Sequence, residues 1–206
     1  TGSVRDSAAS LDATVDRVQG QISYLAGLDA PPAKLRVLAT VHAADGTIAG
    51  PRQIAAVEQT IAILRDLGHE VTYVDTSPLE PVGEWFDLLW IVDIPPLLEA
   101  REAELGRKPR ADELEPLTWL SLQALADAGP DGLAQALKAR AVTRQAHLAL
   151  FDSYDVLLTP SLAKDCARVG ELGFRDHASV KSWAEAGYGF APFFILANVA
   201  GQPAAS

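Results

Sequence analysis

The chain has 206 residues, of which 49% are apolar, and a formal net charge of −10. This length and apolar content fit one folded domain with a sizeable core and exclude a disordered segment. The negative charge would repel a phosphate backbone, and the 17 lysine and arginine residues are scattered along the chain, so no nucleic-acid partner is predicted.

Apolar stretches, cysteine and histidine narrow the remaining classes. The longest strongly apolar stretch, residues 190–200, is interrupted by Pro192 and is shorter than the roughly 20 residues that span a bilayer, so no membrane partner is predicted. The single cysteine, Cys166, cannot form an internal disulfide, which favours a cytoplasmic location. The four histidines are far apart in sequence and match no zinc motif, so neither a metal nor a cofactor is predicted.

The first predicted elements are a helix and a strand. Residues 4–15 place apolar side chains at helical spacing directly after Ser3, a residue type that commonly caps helices. Pro31 and Pro32 then interrupt the chain. The leucine- and valine-rich residues 35–41 predict a buried strand.

A second helix and a second strand set the fold class. A helical apolar stripe begins near Pro51, ends at Gly68, and consists of Ile54, Val57, Ile61 and Leu64. Residues 71–74 alternate as a second strand. A strand, a helix and a strand in this order form a βαβ unit with parallel strands and a right-handed connection. The predicted fold class is therefore α/β.

The rest of the chain predicts helices followed by a third strand. Residues 84–151 are rich in leucine, alanine and glutamate, with interruptions at residues 95–96, 129–130 and 132. This pattern predicts three helices, the last over residues 133–151. Residues 155–160 predict a buried strand that ends at a proline, because proline cannot donate to a continuing ladder.

Known catalytic patterns are scarce in this sequence. The loop over residues 42–51 has only two glycines and matches no phosphate-binding motif. No G-x-S-x-G nucleophile motif is present. Cys166 stands near Lys164 and Arg168, which leaves a nucleophilic role open, but a small buried filler or a pocket-lining residue is favoured. His147 lies among apolar neighbours on a predicted helix and is assigned a structural role.

Four stretches in order resemble the amidase signature family. Residues 1–12 resemble its T-R-S-V-R-D-x-A-x-x-L-D stretch, with glycine in place of the first arginine, and residues 35–74 resemble its strand, a helix ending in L-x-x-L-G-H-x-V, and the next strand. Residues 155–160 are similar to D-x-L-L-T-P. Residues 190–204 are similar to F-x-P-F … N-x-T-G-Q-P-A, with Ala200 where threonine is frequent, and look closest to 6-aminohexanoate cyclic dimer hydrolases and related amidases.

The resemblance implies an α/β/α sandwich around a mixed sheet and hydrolysis of a carboxylic amide. In the family a lysine, a bridging cis-peptide serine and a nucleophilic serine carry out this reaction. These residues belong to segments N-terminal to the stretch that Thr1 begins, so no catalytic residue is assigned here. We expect residues 1–206 to be the central-to-C-terminal portion of a single amidase domain, truncated at both ends and inactive alone.

The resemblance also nominates residues that face the substrate. In the family, the loop after T-P and the F-x-P-F region line the acyl pocket, which corresponds here to Ser161, Leu162, Cys166, Phe190 and Phe193. Aromatic and leucine side chains near strand ends are more often part of a core, so that alternative stays open. The implied partners are a small-molecule amide and the remainder of the amidase domain, with a homodimer left open.

Two other functions are compatible with this sequence. One is a non-catalytic α/β module that binds a small molecule or a partner. The other is membership of a tRNA-dependent amidotransferase, an enzyme that works in a complex, although residues 19–28 lack the D-S-T-S type of sequence associated with that enzyme.

Overall fold

The computed structural model of the chain describes residues 2–16, 23–30, 33–77, 82, 85–174, 177 and 179–205. The predicted interruption at Pro31 and Pro32 lies outside these residues. The chain divides into two compact units, Thr1–Leu35 and Arg36–Ser206.

The first unit contains the helices α1 (Val4–Thr14) and α2 (Tyr24–Gly27). The predicted first helix is confirmed, and the hydroxyl of Ser3 caps it by accepting from the backbone N–H of Asp6 at 3.1 Å. Asp12 of α1 holds the start of α2, because its carboxylate accepts hydrogen bonds from the Ser23 hydroxyl and from the backbone N–H groups of the two residues that follow. A carboxylate is stabilising at that end of a helix, where the backbone N–H groups point outward.

The second unit is built on a three-stranded sheet. Its strands are β1 (Arg36–Ala39), β2 (Glu70–Tyr73) and β3 (Val156–Leu158), in the order β2-β1-β3. Both pairs are parallel, with Val37 opposite Val71 on one side and opposite Val156 on the other. The predicted α/β class and the parallel pairing of the first two strands are therefore confirmed.

Helix α3 (Pro51–Asp66) connects β1 to β2 and covers the sheet, as predicted. Val57 and Ile61 of its apolar stripe are buried against β1, and Ile54 packs beside them. Gly68 adopts a φ of +89°, a left-handed conformation that glycine reaches without steric cost. The backbone N–H groups of Gly68 and His69 then bond to the carbonyls of Arg65 and Leu64 at 2.9 and 3.0 Å, which is the Schellman pattern of a helix end.

Three further α-helices connect β2 to β3, but their boundaries differ from the sequence prediction. They are α4 (Trp85–Ile91), α5 (Ile94–Leu105) and α6 (Pro116–Ala149). Pro95 lies in the first turn of α5 rather than at a break inside it, because a proline there removes no intrahelical hydrogen bond.

The prediction of a last helix over residues 133–151 was wrong in its start. Helix α6 runs on both sides of a kink at Gly129, whose φ of 61° and ψ of −176° are not helical. Pro130 follows directly, at the first position of the second helical segment, where its missing N–H is tolerated.

The C-terminal helices are α7 (Val180–Tyr188) and α8 (Ile195–Ala200). Two arginines of α6 hold the end of α8: the Nε of Arg140 donates to the Val199 carbonyl at 3.3 Å, and the Nε of Arg144 donates to the Ala200 carbonyl at 3.1 Å. Cations that donate to the last carbonyls of a helix satisfy groups that have no intrahelical partner. Within the part of the chain that the structure describes, no helix has the length and apolar character needed to cross a membrane.

An ion pair between the starts of β1 and β3 predicts a pH dependence of stability. The Arg36 guanidinium donates to the Asp155 carboxylate at 2.9 and 3.2 Å, and the Arg36 backbone N–H donates to it at 2.7 Å. These hydrogen bonds hold the pKa of Asp155 at about 2, below its ordinary value of 3.8. The folded state therefore gains stability from this group above the ordinary pKa and loses it as the pH falls from about 4 to about 2.

We expect Asp155→Asn to reduce stability at neutral pH and to reduce the loss of stability between about pH 4 and pH 2. Urea unfolding at both pH values measures this difference. Asp131→Asn, which neutralises an exposed carboxylate on α6, is the matched control and should leave the acid loss unchanged. An acid loss of the same size in Asp155→Asn and in the unmodified protein would contradict the assignment.

Candidate functional site

The loops that follow β1 and β3 meet at the carboxyl end of the sheet, where Ala163 joins them. The buried Ala163 donates its N–H to the Phe190 carbonyl at 2.7 Å and accepts from the Gly50 N–H at 2.7 Å. A Cβ at Gly50 would lie 3.3 Å from the Ala163 carbonyl oxygen and 2.9 Å from Oε1 of Gln53, so this approach favours glycine. Ligands of α/β proteins bind at this end of the strands.

The predicted site residues on the loop after β3 lie at the surface. Ser161 and Cys166 are exposed and Leu162 is half-buried. Asp165 ties this loop to α3, because its carboxylate accepts from Arg52 at 3.0 Å and from the Gln53 amide at 3.3 Å.

The two predicted aromatic residues have different surroundings. Phe190 is half-buried, and the Nζ of Lys164 lies 4.5 Å from the centre of its ring, within the range of a cation–π contact. Phe193 is only 8% exposed and belongs to the core cluster formed by β1, its following loop, α3 and Ala163. Hydrogen bonding through Ala163 brings the backbone of Phe190 to the loop after β3, so the two predicted segments are neighbours, but the ring of Phe193 packs into the core.

Three cavities lie next to these loops and all have Asp87 in their walls. The largest, about 630 Å³, is bounded by α4, α6 and α7 and includes Gln135 and Lys181. Two smaller cavities measure about 150 and 140 Å³. The largest volume falls in the range of small-molecule sites, which are mostly apolar with a few polar groups.

Asp87 is held in place by Tyr188. The Tyr188 hydroxyl donates to Oδ1 of Asp87 at 2.7 Å. Burial raises the pKa of Tyr188 well above its ordinary value, and the hydrogen bond and the charge of Asp87 raise it further. The phenol therefore stays protonated at neutral pH and acts as a hydrogen-bond donor.

The third cavity extends from this region to the loops at the carboxyl end of the sheet. Its walls include Ala44 and Asp45 from the loop after β1, and Pro192 from the segment between the two predicted aromatic residues. Among the described residues, no group of three or more histidine, cysteine, aspartate or glutamate side chains is placed to hold a metal ion.

Sequence reasoning missed the residues around these cavities. Asp87 and Tyr188 are 101 positions apart, and no local motif connects them. The available signal was the tryptophans, because three of the four in the chain, Trp85, Trp90 and Trp183, line the cavities. Tryptophan is large and is commonly found in binding sites.

The match to a known family decides the identity of the chain. The family model described as Amidase matches residues 1–206. The chain belongs to the amidase family. This confirms the resemblance inferred from the four sequence stretches.

Individual relatives of this amidase chain agree with the family match. "Putative amidase AmiB2" of Mycobacterium tuberculosis and of Mycobacterium bovis is 29% identical over 206 residues, which cover 98% of this chain and 42% of the relative. "Putative amidase AmiC" of Mycobacterium leprae is 32% identical over 150 residues, which cover 70% of this chain and 30% of the relative. The chain thus spans less than half the length of these curated relatives.

Solved structures share the fold. The structure of 6-aminohexanoate cyclic dimer hydrolase superposes with a TM-score of 0.83 at 22% identity, over 97% of this chain and 44% of that protein. The same hydrolase complexed with substrate gives a TM-score of 0.82 over 45% of its chain. The predicted amidase fold is therefore confirmed for the portion of the fold that these residues form.

Proposed function

We propose that the amidase to which these residues belong hydrolyses the C–N bond of a carboxylic amide, and that residues 1–206 supply a wall of its acyl pocket. The observation that carries the proposal is the family match over all 206 residues. The attacking serine, the bridging serine and the lysine that the family resemblance implies are proposed to lie outside residues 1–206. Acyl transfer needs these groups together with oxyanion donors in one place.

The loops at the carboxyl end of the sheet support a role in shaping the pocket rather than in attack. Leu162 and Phe190 offer half-buried apolar surface, and Ser161 and Cys166 are exposed beside them. Lys164 is directed to the Phe190 ring, with its Nζ 4.5 Å from the ring centre. We propose that Ser161, Leu162, Cys166 and Phe190 contact the substrate and that Phe193 supports them from the core.

The substrate is proposed to be a linear or cyclic carboxamide with an apolar body. The cavity of about 630 Å³ between α4, α6 and α7 is large enough for a substituted amide. We further propose a cytoplasmic location, which the single cysteine favours. Neither a membrane nor nucleic acid is proposed as a partner, in keeping with the net charge of −10.

Covalent labelling of the intact protein tests where the nucleophile lies. A fluorophosphonate phosphonylates an activated serine hydroxyl with loss of fluoride, and peptide mapping then locates the modified residue. The proposal expects a labelled serine outside residues 1–206 and none among residues 1–206. A label on Ser161, or an intact protein that is neither labelled nor active on amides, would contradict it. The second outcome would favour a non-catalytic binding module.

A further inference from the structure

Aromatic rings and one carboxylate line the cavity of about 150 Å³ between α4 and α7. Its walls carry the side chains of Trp90, Trp183, Tyr188 and Phe194 together with Asp87. The remaining lining residues are small or aliphatic: Ile91, Val180, Ala184 and Gly187. Among the residues that the structure describes, Asp87 is thus the only charged one that lines this cavity.

This combination of side chains is suited to a positive charge. The face of an aromatic ring carries negative electrostatic potential and attracts a cation within about 6 Å, most strongly for tryptophan. A carboxylate in the same wall adds to this attraction. Lys181 lines the two neighbouring cavities but not this one, so no cationic side chain from the described part of the chain forms its wall.

The walls are held in place before a ligand arrives. The indole N–H of Trp183 donates to the Leu172 carbonyl at 3.1 Å. The buried Phe86 packs against two of the other rings, with centroid distances of 5.9 Å to Trp90 and 6.0 Å to Tyr188. The Tyr188 hydroxyl orients Asp87. A preorganised site reduces the entropy lost on binding.

We propose that this cavity binds the alkylammonium group of a small organic cation. A volume of about 150 Å³ suits a trimethylammonium or a short alkylammonium group, whereas the larger adjoining cavity suits the body of an amide. The cation is desolvated between the rings, and its charge is balanced by Asp87. This binding requires no hydrolysis, so it is measured independently of the proposed amidase activity.

The test compares a cation with a neutral molecule of the same shape. Choline chloride and 3,3-dimethyl-1-butanol are titrated into the intact protein at constant ionic strength, with tryptophan fluorescence and calorimetry as readouts. Choline is expected to bind about tenfold more tightly or better, because ring faces and a carboxylate favour the charge. Equal affinities for the two compounds, or no binding of choline, would overturn the proposal.

Variants assign the binding to this cavity. Asp87→Asn and Trp90→Leu are each expected to weaken choline binding about tenfold and to leave the affinity for the alcohol nearly unchanged. Asp93→Asn, which changes an exposed carboxylate between α4 and α5, is the matched control and should bind choline as the unmodified protein does. Trp90 is 56% exposed, so its replacement tests the proposal even if Asp87→Asn fails to fold. Unchanged choline binding in folded Trp90→Leu would overturn the assignment.

Discussion

Phe193→Ala is expected to lower the free energy of unfolding by about 3–5 kcal/mol, the range measured for buried aromatic side chains replaced by alanine. The ring is 8% exposed and packs with Val41, Val57 and Ile61 in the core between β1 and α3. Its removal leaves a cavity that the sheet and the helix cannot close without moving apart. Urea unfolding of the purified protein measures the change.

Leu162→Ala is the contrasting variant at the same end of the sheet. Leu162 is half-buried on the loop after β3, so we expect its replacement to cost about 1 kcal/mol of stability or less. In the intact enzyme it should instead change the relative kcat/KM of small and bulky amides by about 10- to 200-fold. If Phe193→Ala alters selectivity and leaves stability unchanged, the ring contacts substrate and the core assignment is wrong.

The βαβ unit could be predicted from the sequence because local rules determine it. The stripe around Val57 and Ile61 has helical spacing, and the glycine at position 68 has to end the helix in a left-handed conformation. The strands on either side are short and apolar. Each local preference agrees with the final fold, which is the condition under which sequence reasoning succeeds.

The helix boundaries between β2 and β3 could not be predicted because the same residue types have two outcomes. Pro95 begins a helix, whereas Pro130 follows a kink within the long helix α6. The difference depends on the φ of 61° at Gly129 and on packing against neighbouring helices. Neither is visible in the spacing of prolines and glycines.

The candidate site was only partly predictable for a related reason. The loops that carry Leu162 and Phe190 follow recognisable motifs, and the structure brings them together through Ala163. The position of Phe193 in the core depends on which way one ring points from a turn. The pairing of Asp87 with Tyr188 is a tertiary contact between α4 and α7, and no sequence pattern specifies it.

The second large effect is the loss of activity when residues 1–206 are produced alone. Uncatalysed amide hydrolysis is slow, and enzymes accelerate such reactions by a factor of about 10⁶ or more. The acceleration requires an activated nucleophile, a proton shuttle and oxyanion donors held together. We propose that these groups lie outside residues 1–206, so removing the rest of the domain should abolish turnover rather than reduce it.

The most direct measurement is an assay of the isolated 206-residue chain beside the intact protein. Both are tested against anilides, short aliphatic amides and the cyclic dimer of 6-aminohexanoate, with release of amine as the readout. The account predicts turnover of at least one of these amides by the intact protein and none above the uncatalysed rate by the isolated chain. Turnover by the isolated chain that survives repurification and disappears in Cys166→Ala would contradict the account and identify the cysteine as the nucleophile.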